Sequence, residues 1–133
     1  MRILLDSNAY SQLKRGHPGV AQLVRNSGAV IFSAVVAGEL LYGFRHGTRY
    51  EQNQRDLQLF LDNPYVDFVP VSLATADRYA RVAASLRATG RPIPTNDIWI
   101  AAHTMETGAE LISFDDHFDN VDGLAWLHLS AAK

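Results

Sequence analysis

Acidic side chains recur in this sequence where a short apolar run ends or a neighbouring helix begins. Asp6 and Asp115 stand just past two such runs. Glu39 lies in the predicted helix that follows another apolar run, and Asp97 lies in the first turn of the predicted helix that precedes the run before Asp115. Because the carboxyl ends of parallel strands meet at one edge of a sheet, these four acids are predicted to open toward one shared rim.

Four carboxylates gathered at one rim favour a divalent cation. Two unit charges about 5 Å apart, at an effective dielectric of about 20, repel by about 3 kcal/mol. A divalent cation, a bound arginine or partial protonation would relieve this repulsion. The chain has no cysteine, and hard oxygen ligands select Mg²⁺ or Mn²⁺ over zinc or copper. One or two such ions would activate water against a phosphodiester bond and stabilise the leaving oxygen.

Each acid also has a purely structural interpretation. Asp115, like Asp116, lies in a turn-like stretch in which aspartate is common. Asp6 is well placed to cap the helix that follows it, and Asp97 gains from the helix dipole in its first turn. Glu39 lies in a segment that is apolar nearly all round. That pattern predicts a buried helix, in which a lone carboxylate needs either a metal ion or an arginine partner. Only the combination of the four acids favours a metal site.

Strands and helices alternate along the sequence, which predicts a parallel sheet between helical layers. Apolar runs predict strands at 3–5, 29–32, 66–71, 110–113 and 124–129. Helical spacing predicts helices at 9–15, 20–25, 34–46, 50–61, 73–90 and 96–107. Ser33 and Thr95 are the predicted caps of the third and last of these helices. We therefore expect an α/β fold of three α/β/α layers, with a mainly parallel sheet of four to five strands and a single domain over residues 1–133.

Composition excludes several other kinds of protein. The 133-residue chain carries a formal net charge of −2, which excludes a polybasic tail that coats nucleic acid or membrane. The absence of cysteine excludes disulfides and thiolate metal sites. Glu39 interrupts the longest apolar stretch, which is too short to span a bilayer, and Asp6 interrupts the N-terminal run that a signal peptide would need. A soluble, cytoplasmic protein without a membrane partner is expected.

Four segments together resemble the PIN-domain ribonucleases, specifically the small VapC-type toxins of toxin–antitoxin pairs. They stand in family order, as ILLDSNAYSQL, SAVVAGELLYG, PIPTNDIWIAA, and LISFDDHF followed by VDGL. The resemblance makes Asp6, Glu39, Asp97 and Asp115 the metal ligands and the catalytic residues. Asp115 rather than Asp116 takes the fourth place, because the family pattern is Thr or Ser, any residue, an acid, and Phe three residues further on.

The resemblance also implies supporting residues beside the metal site. Ser113 and Asn8 would orient carboxylates or water, as metal sites generally require. Asp116 is an extra acid beside the expected ligand, and His117 stands where the family often has a second acid. Because imidazole matches a hard-oxygen site poorly, His117 is interpreted, like the other histidines, as an ordinary surface or half-buried residue. The motif leaves open whether Asp116 or His117 assists the ion.

The function implied by the resemblance is that of a type II toxin, an endoribonuclease dependent on Mg²⁺ or Mn²⁺. Such toxins cleave RNA, in many cases tRNA or rRNA, and are held safe by a cognate antitoxin that wraps them. They are usually homodimers. Arg45, Arg49 and Arg91 are the candidates for steering an RNA backbone toward the rim, although arginines on solvated faces are common.

Two other functions also fit an acidic rim on such a sheet. An aspartate-based phosphatase or phosphotransfer domain needs a second acid near Asp6 and a lysine late in the chain. Position 8 is Asn8, and the lysines are Lys14 and the terminal Lys133. A catalytically degenerate module that only binds RNA or protein is expected to lack at least one of the four acids, and none is missing.

Overall fold

The first strand is buried on both faces, as its uninterrupted apolar sequence predicts. The computed structural model describes residues 1–130, and in it Ile3, Leu4 and Leu5 are fully buried. Strands and helices then alternate in the order β1 (Arg2–Leu5), α1 (Ser7–Lys14), α2 (Pro18–Asn26), β2 (Ala29–Ser33), α3 (Ala34–Arg45), α4 (Tyr50–Leu61), β3 (Val66–Val69), α5 (Leu73–Thr89), α6 (Thr95–Thr107), β4 (Glu110–Ser113), a short 3-10 helix (Asp116–Asn120) and β5 (Trp126–His128).

The strands of residues 1–130 form one parallel, five-stranded sheet in the order β3-β2-β1-β4-β5. Leu4 pairs with Ile31 of β2 on one side and with Leu111 of β4 on the other, which places β1 at the centre. The chain therefore runs outward from β1 to β3 and then crosses over to β4. Because such crossovers are right-handed, the two sets of helices cover opposite faces of the sheet. The predicted three-layer α/β architecture is confirmed, with a crevice at the carboxyl ends of β1 and β4.

Predicted boundaries agree with the observed ones to within two residues, and the differences have local causes. The third strand ends at Val69 instead of continuing to residue 71, because Pro70 cannot donate to the ladder. The prediction that Thr95 caps the last helix is wrong. Thr95 is the first helical residue, since the carbonyl of Pro94 already accepts the backbone N–H of Asp97 at 3.0 Å.

His103 is fully buried, so its interpretation as a surface or half-buried residue is wrong. Its Nε2 lies 3.1 Å from the carbonyl oxygen of Pro70, and its Nδ1 lies 2.7 Å from the hydroxyl of Ser33. A carbonyl can only accept, so Nε2 donates to Pro70 and Nδ1 accepts from Ser33. Both nitrogens are thereby satisfied, which allows the imidazole to lie in the core and joins α6 to the end of β2.

The described helices do not combine the length and the apolar composition that a membrane span requires. The last three residues of the single domain expected over 1–133 lie outside the described part of the chain.

Candidate active site

A cavity of about 550 Å³ opens at the carboxyl ends of β1 and β4. Its lining includes all four predicted acids and two of the predicted supporting residues, namely Asp6, Glu39, Asp97, Asp115, Asp116 and Asn8. Lysine and arginine are absent from this lining within residues 1–130. The fold therefore brings together acids that are spread over 110 positions of the sequence, at the edge where the topology predicts a ligand.

Asp6 directly follows β1 and caps α1, so two elements fix its position. Its Oδ1 accepts the backbone N–H of Ala9 at 2.9 Å, and its Oδ2 accepts the hydroxyl of Ser113. The residue is only 7% exposed. Burial raises the pKa of Asp6 to about 6, with the charges of Asp97 and Asp115 adding to the rise and the two hydrogen bonds opposing it. The capping interpretation is thus correct, and the carboxylate also faces the other acids.

Glu39 is held by neutral donors from two other elements. Its Oε1 accepts the hydroxyl of Ser7 at 2.6 Å, and its Oε2 accepts the side-chain amide of Asn96 at 3.2 Å. The expectation that its helix is buried all round is wrong. Glu39 is half-buried and Tyr42, one turn further on, is 69% exposed. Ser7 and Asn96 are neutral donors, so they orient the carboxylate of Glu39 without forming an ion pair with it.

The imidazole of His117 lies against two of the acids that line the cavity, Asp97 and Asp115. The Nδ1 of His117 lies 3.1 Å from Asp97 Oδ2 and 3.0 Å from Asp115 Oδ1. Burial raises the pKa of Asp97, as do the charges of Asp115 and Glu39, while His117 opposes that rise. The hydrogen bond to Asp97 and the surrounding carboxylates raise the pKa of His117. His117 is exposed, as predicted, but it is not an ordinary surface residue, because it contacts two of the four acids.

The three predicted supporting residues are placed differently. Ser113 is fully buried and bridges two acidic positions, since its hydroxyl donates to Asp6 and its oxygen accepts the backbone N–H of Asp115 at 3.0 Å. Asn8 and Asp116 are exposed and line the cavity. Ser113 therefore holds two of the acidic residues in place from within the core, whereas Asn8 and Asp116 face the open space of the cavity.

The three candidate arginines do not line the acidic cavity. Arg49 lines an adjacent cavity of about 780 Å³, which shares Glu39 with the acidic one. Arg45 stacks over the ring of Tyr50 at 4.6 Å, and Arg91 lies 3.8 Å from Asp119. Of the three arginines, Arg49 is thus the one that lines a cavity next to the acids.

Sequence reasoning missed Ser7 and Asn96 as partners of Glu39. Each is adjacent in sequence to a predicted acid, Asp6 or Asp97. This adjacency is the feature of the sequence that could have identified them as residues of the site. Their pairing with Glu39 spans 32 and 57 positions, and only the packing of α1 and α6 around α3 brings the groups together.

The donor set fits a hard divalent cation. It consists mainly of carboxylate oxygens, and the hydroxyl and amide groups that hold them are neutral. Carboxylates clustered in a partly buried cavity repel one another, and Mg²⁺ or Mn²⁺, which prefer oxygen ligands, would relieve that repulsion. Burial, together with the charges of neighbouring carboxylates, also raises the pKa values of Asp6 and Asp97.

Comparison with known proteins gives one consistent family. The PIN domain model matches residues 3–124. The chain is 30% identical over 132 residues to "Ribonuclease VapC1" of Haemophilus influenzae strain R2866, covering 95% of this chain and 96% of that protein. It is 28% identical over 100 residues to "tRNA(fMet)-specific endonuclease VapC" of Shigella flexneri, covering 74% of each.

Solved structures agree with this result. The chain superposes on VapBC-1 from nontypeable Haemophilus influenzae with a TM-score of 0.84 and 28% sequence identity, covering 96% of this chain and 98% of that one. The similarity therefore extends over nearly the whole described fold.

Proposed function

Since this chain belongs to the PIN domain family and, within it, to the VapC ribonucleases, we propose that it hydrolyses RNA at the cavity lined by Asp6, Glu39, Asp97 and Asp115. The observation that carries the proposal is the convergence of these acids from four separate segments into one cavity whose described lining contains no lysine or arginine. We propose that the chain acts as the toxin endoribonuclease of a toxin–antitoxin pair.

The four acids would hold one or two Mg²⁺ or Mn²⁺ ions. Such an ion supplies positive charge that stabilises the phosphodiester oxygens and lowers the pKa of water. All other contributions come from the chain itself. Ser113 and the N–H of Ala9 hold Asp6 in one orientation, and Ser7 and Asn96 do the same for Glu39.

The proposed reaction is hydrolysis by water. The oxygen of a water molecule bonds to phosphorus as the water gives up one proton, the bond from phosphorus to the 3′-oxygen breaks, and the 3′-oxygen takes up a proton. The products are a 5′-phosphate and a 3′-hydroxyl, and the ribose 2′-hydroxyl takes no part. Asp116 and Asn8, which face the entrance of the cavity, are proposed to orient water or the RNA chain.

The partners we propose follow from the relatives. The structural neighbour from nontypeable Haemophilus influenzae is a VapBC-1 structure, which supports our proposal that a cognate antitoxin binds this chain. The family resemblance alone is the basis for proposing a homodimer of the toxin. One relative is named as an endonuclease specific for tRNA(fMet), which supports tRNA as the substrate, with rRNA as the alternative. We propose that the chain acts on these RNAs in the cytoplasm. Arg49 is the first candidate for contact with the RNA backbone, ahead of Arg45 and Arg91.

The chemistry of the product ends tests this proposal. Total tRNA and rRNA are incubated with the purified protein and Mg²⁺ or Mn²⁺, and the new ends are mapped by ligation that requires a 5′-phosphate. We expect discrete cleavage with ligatable 5′-phosphates that ceases in EDTA. New ends that carry a 2′,3′-cyclic phosphate would contradict hydrolysis by water, and uncut RNA with either ion would contradict the nuclease.

A further inference from the structure

We propose that His117 is an additional ligand of this metal site, and that its imidazole makes the site bind Mn²⁺ more tightly than Mg²⁺. The inference rests on the proposed function, because His117 contacts Asp97 and Asp115, two of the acids that line the proposed catalytic cavity. It adds a nitrogen donor to the carboxylate oxygens and answers a question that the sequence motif leaves open.

The positions of three ligand atoms support the proposal. Asp97, Asp115 and His117 each offer one such atom, and these atoms all lie within 4.8 Å of one another. The Nδ1 of His117 is 3.1 Å from Asp97 Oδ2 and 3.0 Å from Asp115 Oδ1. Neighbouring ligands of an octahedral ion with bonds of about 2.1 Å stand about 3 Å apart. The observed separations therefore let one ion bind all three groups with little movement.

The fold holds His117 in this position. The residue lies in the first turn of the 3-10 helix, and its backbone N–H donates to Asp115 Oδ1 at 2.9 Å. The next residue, Phe118, is 1% exposed and anchors that helix in the core. The side chain of Asp97 is only 16% exposed, whereas that of His117 is 44% exposed. The anchored 3-10 helix thus places the accessible imidazole of His117 against the largely buried carboxylate of Asp97.

The chemistry of the donors gives the selectivity. Carboxylate oxygens bind Mg²⁺ and Mn²⁺ alike, whereas imidazole is a softer ligand that suits transition metals and adds little to Mg²⁺. Adding the nitrogen of His117 to the carboxylate oxygens should therefore raise the affinity for Mn²⁺ specifically. His117 is in this respect a selectivity residue, and the four acids remain the groups that make binding possible at all.

Calorimetric titration of the full chain with Mg²⁺ alone and with Mn²⁺ alone tests the proposal without any substrate. In His117→Ala, the dissociation constant for Mn²⁺ is expected to rise about tenfold or more, with the value for Mg²⁺ changing less than about twofold. The control is His46→Ala, since His46 is exposed and its imidazole bonds the carbonyl of Tyr42. That variant should bind both ions like the unaltered chain.

A spectroscopic measurement on the unaltered chain gives a second readout. Electron spin echo modulation of bound Mn²⁺ should show coupling to an imidazole ¹⁴N that is absent in His117→Ala. If both dissociation constants rise equally or stay unchanged, and no ¹⁴N coupling is seen, His117 is not a ligand. In that case ion binding that is lost in Asp6→Asn still supports the proposed function, whereas failure of the unaltered chain to bind either ion contradicts both.

Discussion

The hydroxyl of Ser113 donates a hydrogen bond to Oδ2 of Asp6 across 107 positions of the sequence. Ser113 is the last residue of β4, and Asp6 directly follows β1, so the bond joins the carboxyl ends of two neighbouring strands. The same serine oxygen accepts the backbone N–H of Asp115. One buried hydroxyl therefore sets the relative positions of two of the four acids.

Removal of this hydroxyl should weaken the site more than the fold. In Ser113→Ala, Asp6 loses one of its two donors, and we expect the affinity for Mn²⁺ and the rate of RNA cleavage to fall by about 10- to 100-fold. Ser113→Thr retains the hydroxyl and should keep most of both. Calorimetry and a cleavage assay measure the two effects, and equal behaviour of the alanine and threonine variants would show that the hydroxyl does not position the acids.

The pH dependence of stability should report the burial of Asp6. Its pKa in the folded state is about 6, compared with about 3.9 for an exposed aspartate. The folded state therefore holds the proton more tightly, and the stability that this group contributes is present below about pH 4 and is lost as the pH rises through about 6. Asp6→Asn does not titrate. Without metal, the free energy of unfolding of the unaltered chain should therefore fall by about 2 kcal/mol relative to Asp6→Asn between pH 4 and pH 7.

Urea unfolding in EDTA at several pH values measures this difference. Mn²⁺ should then stabilise the unaltered chain at pH 7 and leave Asp6→Asn nearly unchanged, because a ligand stabilises only the folded state that binds it. A difference between the two proteins that is independent of pH would contradict the burial of a charged Asp6.

Orientation of Glu39 by Ser7 should matter for metal affinity. The 2.6 Å hydrogen bond from Ser7 fixes Oε1, and in Ser7→Ala we expect the dissociation constant for Mn²⁺ to rise by about tenfold with the folded structure retained. Ser11→Ala, one turn further along α1, is the matched control and should bind as before. Equal affinity of the Ser7 and Ser11 variants would show that the bond does not contribute to the site.

The buried pair of His103 and Ser33 should matter for stability alone. In His103→Phe the hydroxyl of Ser33 and the carbonyl of Pro70 lose their partner, and leaving such groups unsatisfied in the core costs about 1 to 3 kcal/mol each. Urea unfolding should show a loss of about that size, with no comparable loss in His46→Ala. A stability like that of the unaltered chain would mean that both groups find other partners.

Much of this fold follows from local sequence patterns. The three consecutive apolar residues of β1 predict a strand buried on both faces, and Asp6 and Ser33 predict helix starts, because each pattern depends on neighbours in the sequence. The four motif segments also predict which acids should meet, although the ligand roles of those acids are still a prediction.

The contacts that the sequence could not predict are those that depend on packing between distant elements. Glu39 was expected to need an arginine or a metal ion, but its donors are Ser7 and Asn96, and no local pattern links either to α3. The softness of imidazole argues against His117 as a metal ligand at the level of sequence. The proposal that it is a ligand depends instead on its short distance to Asp97, 20 positions away, which the sequence does not give. The sequence predicts His103 to be at the surface or half-buried, and its two partners lie 70 and 33 positions away, where no local pattern links them to α6.

Cleavage of RNA by matched variants tests the central claim most directly. The unaltered chain, Asp97→Asn and Asp67→Asn are compared with Mn²⁺, since Asp67 is an exposed acid of β3 outside the acidic cavity. The account predicts that Asp67→Asn cleaves at the rate of the unaltered chain and that Asp97→Asn is slower by at least about 100-fold. Cleavage at the same rate by all three proteins would contradict a catalytic site built from the converging acids.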